Sequence, residues 1–253
     1  MRETCMLSLT PNEVDQVGEY CVANTTPLPH CLLEHSVTTA NKTERNGEMA
    51  GSLAQCAYLM STARGLRPKR VLELGTFTGV MSLALYEATR DIGSEIVTLD
   101  IDKEFIAIAK DAFQKYQAVD RIEIIEGDCT ESLSQLQGDF DLIYIDADQF
   151  QYEAYVRAIL DRELLSPQGI ILVDDGNQIP PVHRSCPVNE ITVLLRGITV
   201  NPSMSPTVSD EDREWCREVA VNMNKFNQFA ATDPRILGTL LPFFNGIMHI
   251  TWR

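Results

Sequence analysis

The chain has 253 residues, 44% of them hydrophobic and 23% charged, enough to bury one full-sized core. Its 21 Lys and Arg stand against 36 Asp and Glu, a formal charge of -15, so nucleic acid and anionic membrane surfaces would repel it unless a local basic patch intervened, and none is evident. No apolar run approaches the roughly 20 residues of a membrane-spanning helix, and Met1 to Tyr20 lacks the pattern of a secretory signal.

Seven scattered cysteines without a CxxC pair point to reduced thiols in a cytoplasmic protein rather than a disulfide framework or a zinc knuckle. Residues 1–45 are polar, with Pro27 and Pro29 close together, and are expected to form a loose arm or a short helical lid. The stripe Met49, Leu53, Ala57 and Met60 predicts a helix over 48–63, which opens a domain spanning 46–253.

A regular alternation follows. Apolar runs at 71–74, 96–99, 122–125, 142–145 and 170–173 read as strands, and 80–89, 103–116, 131–136 and 152–164 as the helices between them, with Pro167-Gln168-Gly169 turning the chain into the last of these strands. Strands this apolar are buried on both faces, so the pattern predicts an α/β fold: a mostly parallel sheet covered by helices on both sides. Residues 176–208 interrupt the rhythm with five prolines and read as a flap over the site. Ser209 precedes Asp210, Glu211 and Asp212 as an N-cap, opening a helix to about Ala231; the apolar segments 235–241 and 247–252 are expected to close the sheet as an antiparallel hairpin.

In such sheets the ligand sits at the carboxyl ends of the strands. Gly75-Thr76-Phe77-Thr78-Gly79 follows the first strand, and its glycines let a ligand approach the backbone. Phe77 occupies the second glycine position of a dinucleotide fingerprint, and Val80 follows Gly79 where a phosphate loop needs Lys, so the loop points to a nucleoside-type ligand without a phosphate to cradle. Asp100, ending the second strand, can accept from both ribose hydroxyls, and Asp128, next to Cys129, can hold an adenine amino group. Asp146-Ala147-Asp148 and Asp174-Asp175 bring carboxylates to two neighbouring strand ends; an all-oxygen set of this kind suits magnesium, calcium or manganese, although Asp148 also reads as a helix cap.

The ordered set Val71–Gly79, Leu99-Asp100-Ile101-Asp102, Glu126-Gly127-Asp128, Tyr144–Asp148 and Leu172–Asp175 resembles the class I S-adenosylmethionine-dependent O-methyltransferases, nearest to the cation-dependent caffeoyl-CoA and catechol branch. The resemblance runs from about Glu48 to the end and includes Leu241-Pro242-Phe243-Phe244-Asn245-Gly246-Ile247, similar to the family's P-x-x-D-G ending. It implies a Rossmann-like fold with a seven-stranded sheet, S-adenosyl-L-methionine as cofactor and magnesium, manganese or calcium as a possible second one. It also implies a homodimer, while the formal charge of -15 disfavours a CoA thioester and favours a free phenolic or polyketide-like metabolite as acceptor.

Carried over, Glu73 and the Gly75, Thr76, Phe77, Thr78, Gly79 loop line the methionine part of the cofactor, Asp100 holds the ribose, and Asp128 with Cys129 lies by the adenine. Asp146 and Asp174 are metal ligands, with Asp175 where the family usually has Asn. The family's lysine base is Gln149 here, which cannot take a proton at neutral pH, so Asp175, His183 or His30 is expected to stand in. These departures leave open a metal-free or non-methylating use of the same fold, or a non-catalytic one.

Overall fold

The computed structural model describes residues 11–43, 51–174, 210–241, 244 and 246–253. The strands are β1 (Arg70–Leu74), β2 (Glu95–Asp100), β3 (Ile122–Glu126), β4 (Phe140–Ile145), β5 (Leu165–Asp174), β6 (Ile236–Leu241) and β7 (Ile247–Trp252). They form one sheet in the order β3-β2-β1-β4-β5-β7-β6. The first five run parallel, while β7 lies antiparallel to both β5 and β6. This is the seven-stranded, mostly parallel sheet with an antiparallel C-terminal hairpin that the sequence predicts.

The helices are α1 (Pro11–Ala23), α2 (His30–Thr43), α3 (Leu53–Leu66), α4 (Val80–Thr89), α5 (Lys103–Lys115), α6 (Cys129–Gln135), α7 (Tyr152–Asp161) and α8 (Asp210–Thr232); α2 to α8 cover both faces of the sheet, while α1 is exposed along its described side chains. Because side chains alternate along a strand, each strand feeds two cores. Leu72, Leu74, Ile143, Ile145 and Val173 face α6, α7 and α8, packing against Leu133, Ile159 and Phe226. Val71, Leu142, Tyr144 and Leu172 face the other way, toward α2, α3 and α4 and their Leu32, Leu59 and Leu83.

Several boundaries differ from the periodicity for local reasons. Ser52 accepts from Gln55 N at 3.2 Å and so starts α3 at Leu53 rather than at 48. Asp128 accepts from Thr130 N at 2.8 Å, which moves the start of α6 back to Cys129. Glu163 at φ +55° stops α7 three residues before Leu164, which closes the end by donating to Ile159 O at 2.9 Å. Strand β5 begins at Leu165 instead of 170: its pairing with β4 jumps from Phe140–Leu165 to Leu142–Ile170, so Pro167-Gln168-Gly169 bulges outward within the strand.

Of the two forms expected for the N-terminal segment, the described residues take the helical one. A 14-residue helix such as α2 is marginal alone, but its stripe Leu32, His35, Thr39 and Thr43 is buried against the body.

Candidate functional site

The site grows out of the strand ends. Ile145 stands opposite Val173, so Asp146 and Asp174 are the next residues of two adjacent strands, two residues beyond the row in which Glu73 faces Tyr144 and Tyr144 faces Leu172. Alternation places all of these polar groups on the α3–α4 side of the sheet. The Gly75 backbone lies directly on the end of β4: a Cβ added there would stand 1.9 Å from the Asp146 carbonyl oxygen. Gly75, Phe77 and Gly79 have φ of +94°, +47° and +85°, and the loop folds back through Gly79 N donating to Thr76 O at 2.8 Å.

A cavity of about 420 Å³ opens over these ends. Its backbone wall is Gly75, Thr76 and Phe77, and its acidic lining is Asp100, Asp102, Asp128, Asp146 and Asp148. Cys129 and Tyr155 also line it, both buried. The Phe77 and Phe105 rings meet edge to face at 4.5 Å, and Ile101 stands beside them 67% exposed, an apolar side chain that a flat ligand would cover. Asp100 accepts from Phe77 N at 2.6 Å and from Asp102 N at 2.9 Å, which fixes the carboxylate at the cavity wall; burial nevertheless raises its pKa.

Not every expected residue reaches the cavity. Glu73 is fully buried one layer below it, accepting from Ser82 Oγ and, at 2.5 Å, from Thr98 Oγ1, whose own oxygen lies 2.6 Å from Thr76 Oγ1. Burial pushes its pKa up to about 7. Thr78 and Gly79 turn away from the cavity: Thr78 contacts α2 and Gly79 starts α4 against the Phe113 ring. Gln149 is buried in the short 3-10 turn Gln149–Gln151 and does not line the cavity. Asp148 caps that turn, accepting from Phe150 N at 3.0 Å, and does line the cavity. His30 is exposed beside Glu34, and the histidine of that helix which reaches the Gly75–Gly79 loop, on its side away from the cavity, is His35. Asp175, His183 and the 176–208 flap lie outside the described residues, as does Asn245.

The candidate metal residues fit a hard cation in their chemistry. Asp146 and Asp174 are adjacent carboxylates, and burial together with the charges of Asp174 and Glu73 holds Asp146 well above the usual carboxylate range, an unfavourable arrangement that a cation relieves. Among the described residues no group of three His, Cys, Asp or Glu forms a complete site, the third expected ligand being Asp175. Two supports escaped sequence reasoning. Tyr144 OH and Gln55 Nε2 each donate to Asp174 Oδ2 at 2.7 Å. Gln55 was legible as the fourth residue of a Ser-x-x-Gln capping pattern; its reach to Asp174, 119 residues away, was not.

Comparison with known proteins agrees with this geometry. A family model described as O-methyltransferase matches residues 23–179. An O-methyltransferase of Aspergillus hancockii, hkm8, is 46% identical over all of both chains. A caffeoyl-CoA O-methyltransferase of Eucalyptus globulus is 29% identical over 79% of this chain and 73% of its own length. Among solved structures, an SAH-bound methyltransferase of Podospora anserina superposes with a TM-score of 0.86 at 36% identity, covering 99% of both chains.

Proposed function

Because this chain belongs to the O-methyltransferase family and is an S-adenosylmethionine-dependent O-methyltransferase, we propose that it methylates a hydroxyl of a small phenolic or polyketide-like metabolite with the help of a divalent cation. The observation that carries this reading is the pairing of Asp146 and Asp174 at adjacent strand ends, at the edge of a cavity walled by the Gly75 loop.

In this reading Gly75, Thr76 and Phe77 cradle the methionine part of the cofactor, Asp100 accepts from the ribose hydroxyls, and Asp128 with Cys129 borders the adenine, which Ile101 and Phe105 sandwich on their apolar side. The bound cofactor supplies a methyl group on a cationic sulfonium, which the acidic lining attracts. Asp146 and Asp174, with Asp175, would hold magnesium or a similar ion, which would supply Lewis-acid chemistry that lowers the pKa of a phenol and orients its oxygen. The acceptor's proton passes to Asp175 or His183. Gln149, buried in its 3-10 turn and absent from the lining of the cavity, is not assigned the proton. The 176–208 segment and the N-terminal helices border the acceptor, and the working unit is a homodimer.

Calorimetric titration with S-adenosylhomocysteine, in magnesium and then in chelator, followed by catechol in each condition, tests the proposal. Catechol binding only with both cofactor product and metal supports it. Catechol binding indifferent to metal replaces it with a metal-free transfer, and absence of cofactor binding overturns the site itself.

A further inference from the structure

The buried stripe of α2 ends on the cofactor loop rather than on the sheet. His35 Nε2 donates to the Thr78 carbonyl oxygen at 2.7 Å, and Thr39 Oγ1 lies 2.8 Å from Thr78 Oγ1. His35 is 3% exposed, and Thr39 and Thr78 are fully buried, so water cannot replace either bond. Thr78 thus directs both its carbonyl and its hydroxyl to α2 while its neighbours Thr76 and Phe77 face the cavity.

On the opposite side of the loop, Asp100 holds the Phe77 amide. Between these two grips Phe77 adopts φ +47°, a left-handed conformation that a non-glycine residue keeps only when its surroundings over-determine it. Helix α2 is itself seated by Leu32 in the core. At the surface, Glu34 accepts from Lys115 Nζ at 2.7 Å and from Tyr116 OH at 3.0 Å, and Lys42 lies 3.7 Å from Asp111. Exposed pairs of this kind contribute little, which leaves the buried bonds as the coupling between helix and loop.

We propose that His35 and Thr39 are positioning residues for the cofactor: they hold the Gly75–Gly79 loop in its binding conformation, so that cofactor affinity depends on the docking of the N-terminal helix. The inference rests on the assignment of this loop to the cofactor. Neither residue touches the cavity, and both act through Thr78.

The test is S-adenosylhomocysteine affinity by calorimetry, together with amide hydrogen exchange at Phe77, for His35→Leu, His35→Gln, Thr39→Val and Thr39→Ser. Thr43→Val serves as control: among the described residues its hydroxyl bonds to Thr39 O within the same helix and not to the loop, so it probes α2. His35→Leu should weaken binding about tenfold, the scale of a buried carbonyl left without its donor. Thr39→Val should weaken it by a smaller factor, His35→Gln and Thr39→Ser should recover affinity, and exchange at Phe77 should quicken in step. Affinity within twofold of the parent in folded His35→Leu and Thr39→Val overturns the proposal, and so does an equal loss in Thr43→Val, which would trace the effect to helix stability. If His35→Leu does not fold, the Thr39 series decides alone. A parent chain that binds no S-adenosylhomocysteine removes the cofactor assignment and this inference with it.

Discussion

Gln55 uses the two ends of its amide for different purposes: Oε1 accepts from Ser52 N at 2.6 Å and closes the cap of α3, while Nε2 donates to Asp174 Oδ2 at 2.7 Å. The start of a helix is thereby tied to a carboxylate at the far end of β5, and Tyr144 steadies the same oxygen from below. Contacts of this kind orient a ligand before any ion arrives.

The two roles of Gln55 separate by mutation. Gln55→Met keeps the length of the side chain and loses both bonds, whereas Ser52→Ala weakens the cap and leaves Asp174 untouched. Manganese affinity, read by electron paramagnetic resonance, should fall about tenfold in Gln55→Met and stay near the parent in Ser52→Ala. Each variant should lower stability by about 1 kcal/mol through the cap. Equal manganese affinity in all three proteins would show that the contact orients nothing.

Glu73 predicts a pH dependence. Its carboxyl ionises near 4.5 in the unfolded chain and at about 7 when buried, so between these values the folded state holds the extra proton. Its stabilising contribution is complete below about pH 4.5, declines as pH rises, and is lost above about 7, a change on the order of 3 kcal/mol. Glu73→Gln keeps the shape without the titration. Melting curves from pH 4.5 to 8 should therefore converge at the acid end, with Glu73→Gln the more stable protein above 7. Parallel curves would contradict the burial argument.

Gly75 cannot take a side chain. A Cβ would collide with the Asp146 carbonyl at 1.9 Å, in a backbone at φ +94° that disfavours any other residue. Gly75→Ala should cost about 2 kcal/mol or more in stability and abolish measurable S-adenosylhomocysteine binding. A variant that retains the parent's affinity would mean that the loop can move away from β4 without loss.

Asp100 serves the loop and the expected ribose together. Asp100→Asn retains one acceptor oxygen, sets its NH2 against one of the two backbone amides that the carboxylate holds, and loses the charge, so it should weaken S-adenosylhomocysteine binding about tenfold and lower stability by about 1 kcal/mol. Calorimetry alongside a melting curve separates the two effects, and unchanged affinity would remove Asp100 from the cofactor site.

Most of the architecture was legible in the chain because it is local. Apolar runs such as 71–74 and 142–145 repeat at βα spacing, and strands buried on both faces permit little besides a parallel sheet between helices. The strand-end signals survive folding for the same reason: Asp100, Asp128 and Asp146 line the cavity because a strand's carboxyl end is where the chain leaves the sheet.

Partnerships across long stretches of sequence were decided only by the tertiary structure. Periodicity cannot tell that Glu73 is sealed one layer below the cavity by Ser82 and Thr98, or that Gln149 is buried away from it, since both outcomes follow from register and packing rather than from residue type. The polar N-terminal segment read as a loose arm or a short helical lid, with no sign in the sequence that hydrophilic His35 and Thr39 would be buried. Folding buries them against Thr78, where each finds the hydrogen-bond partner that burial demands.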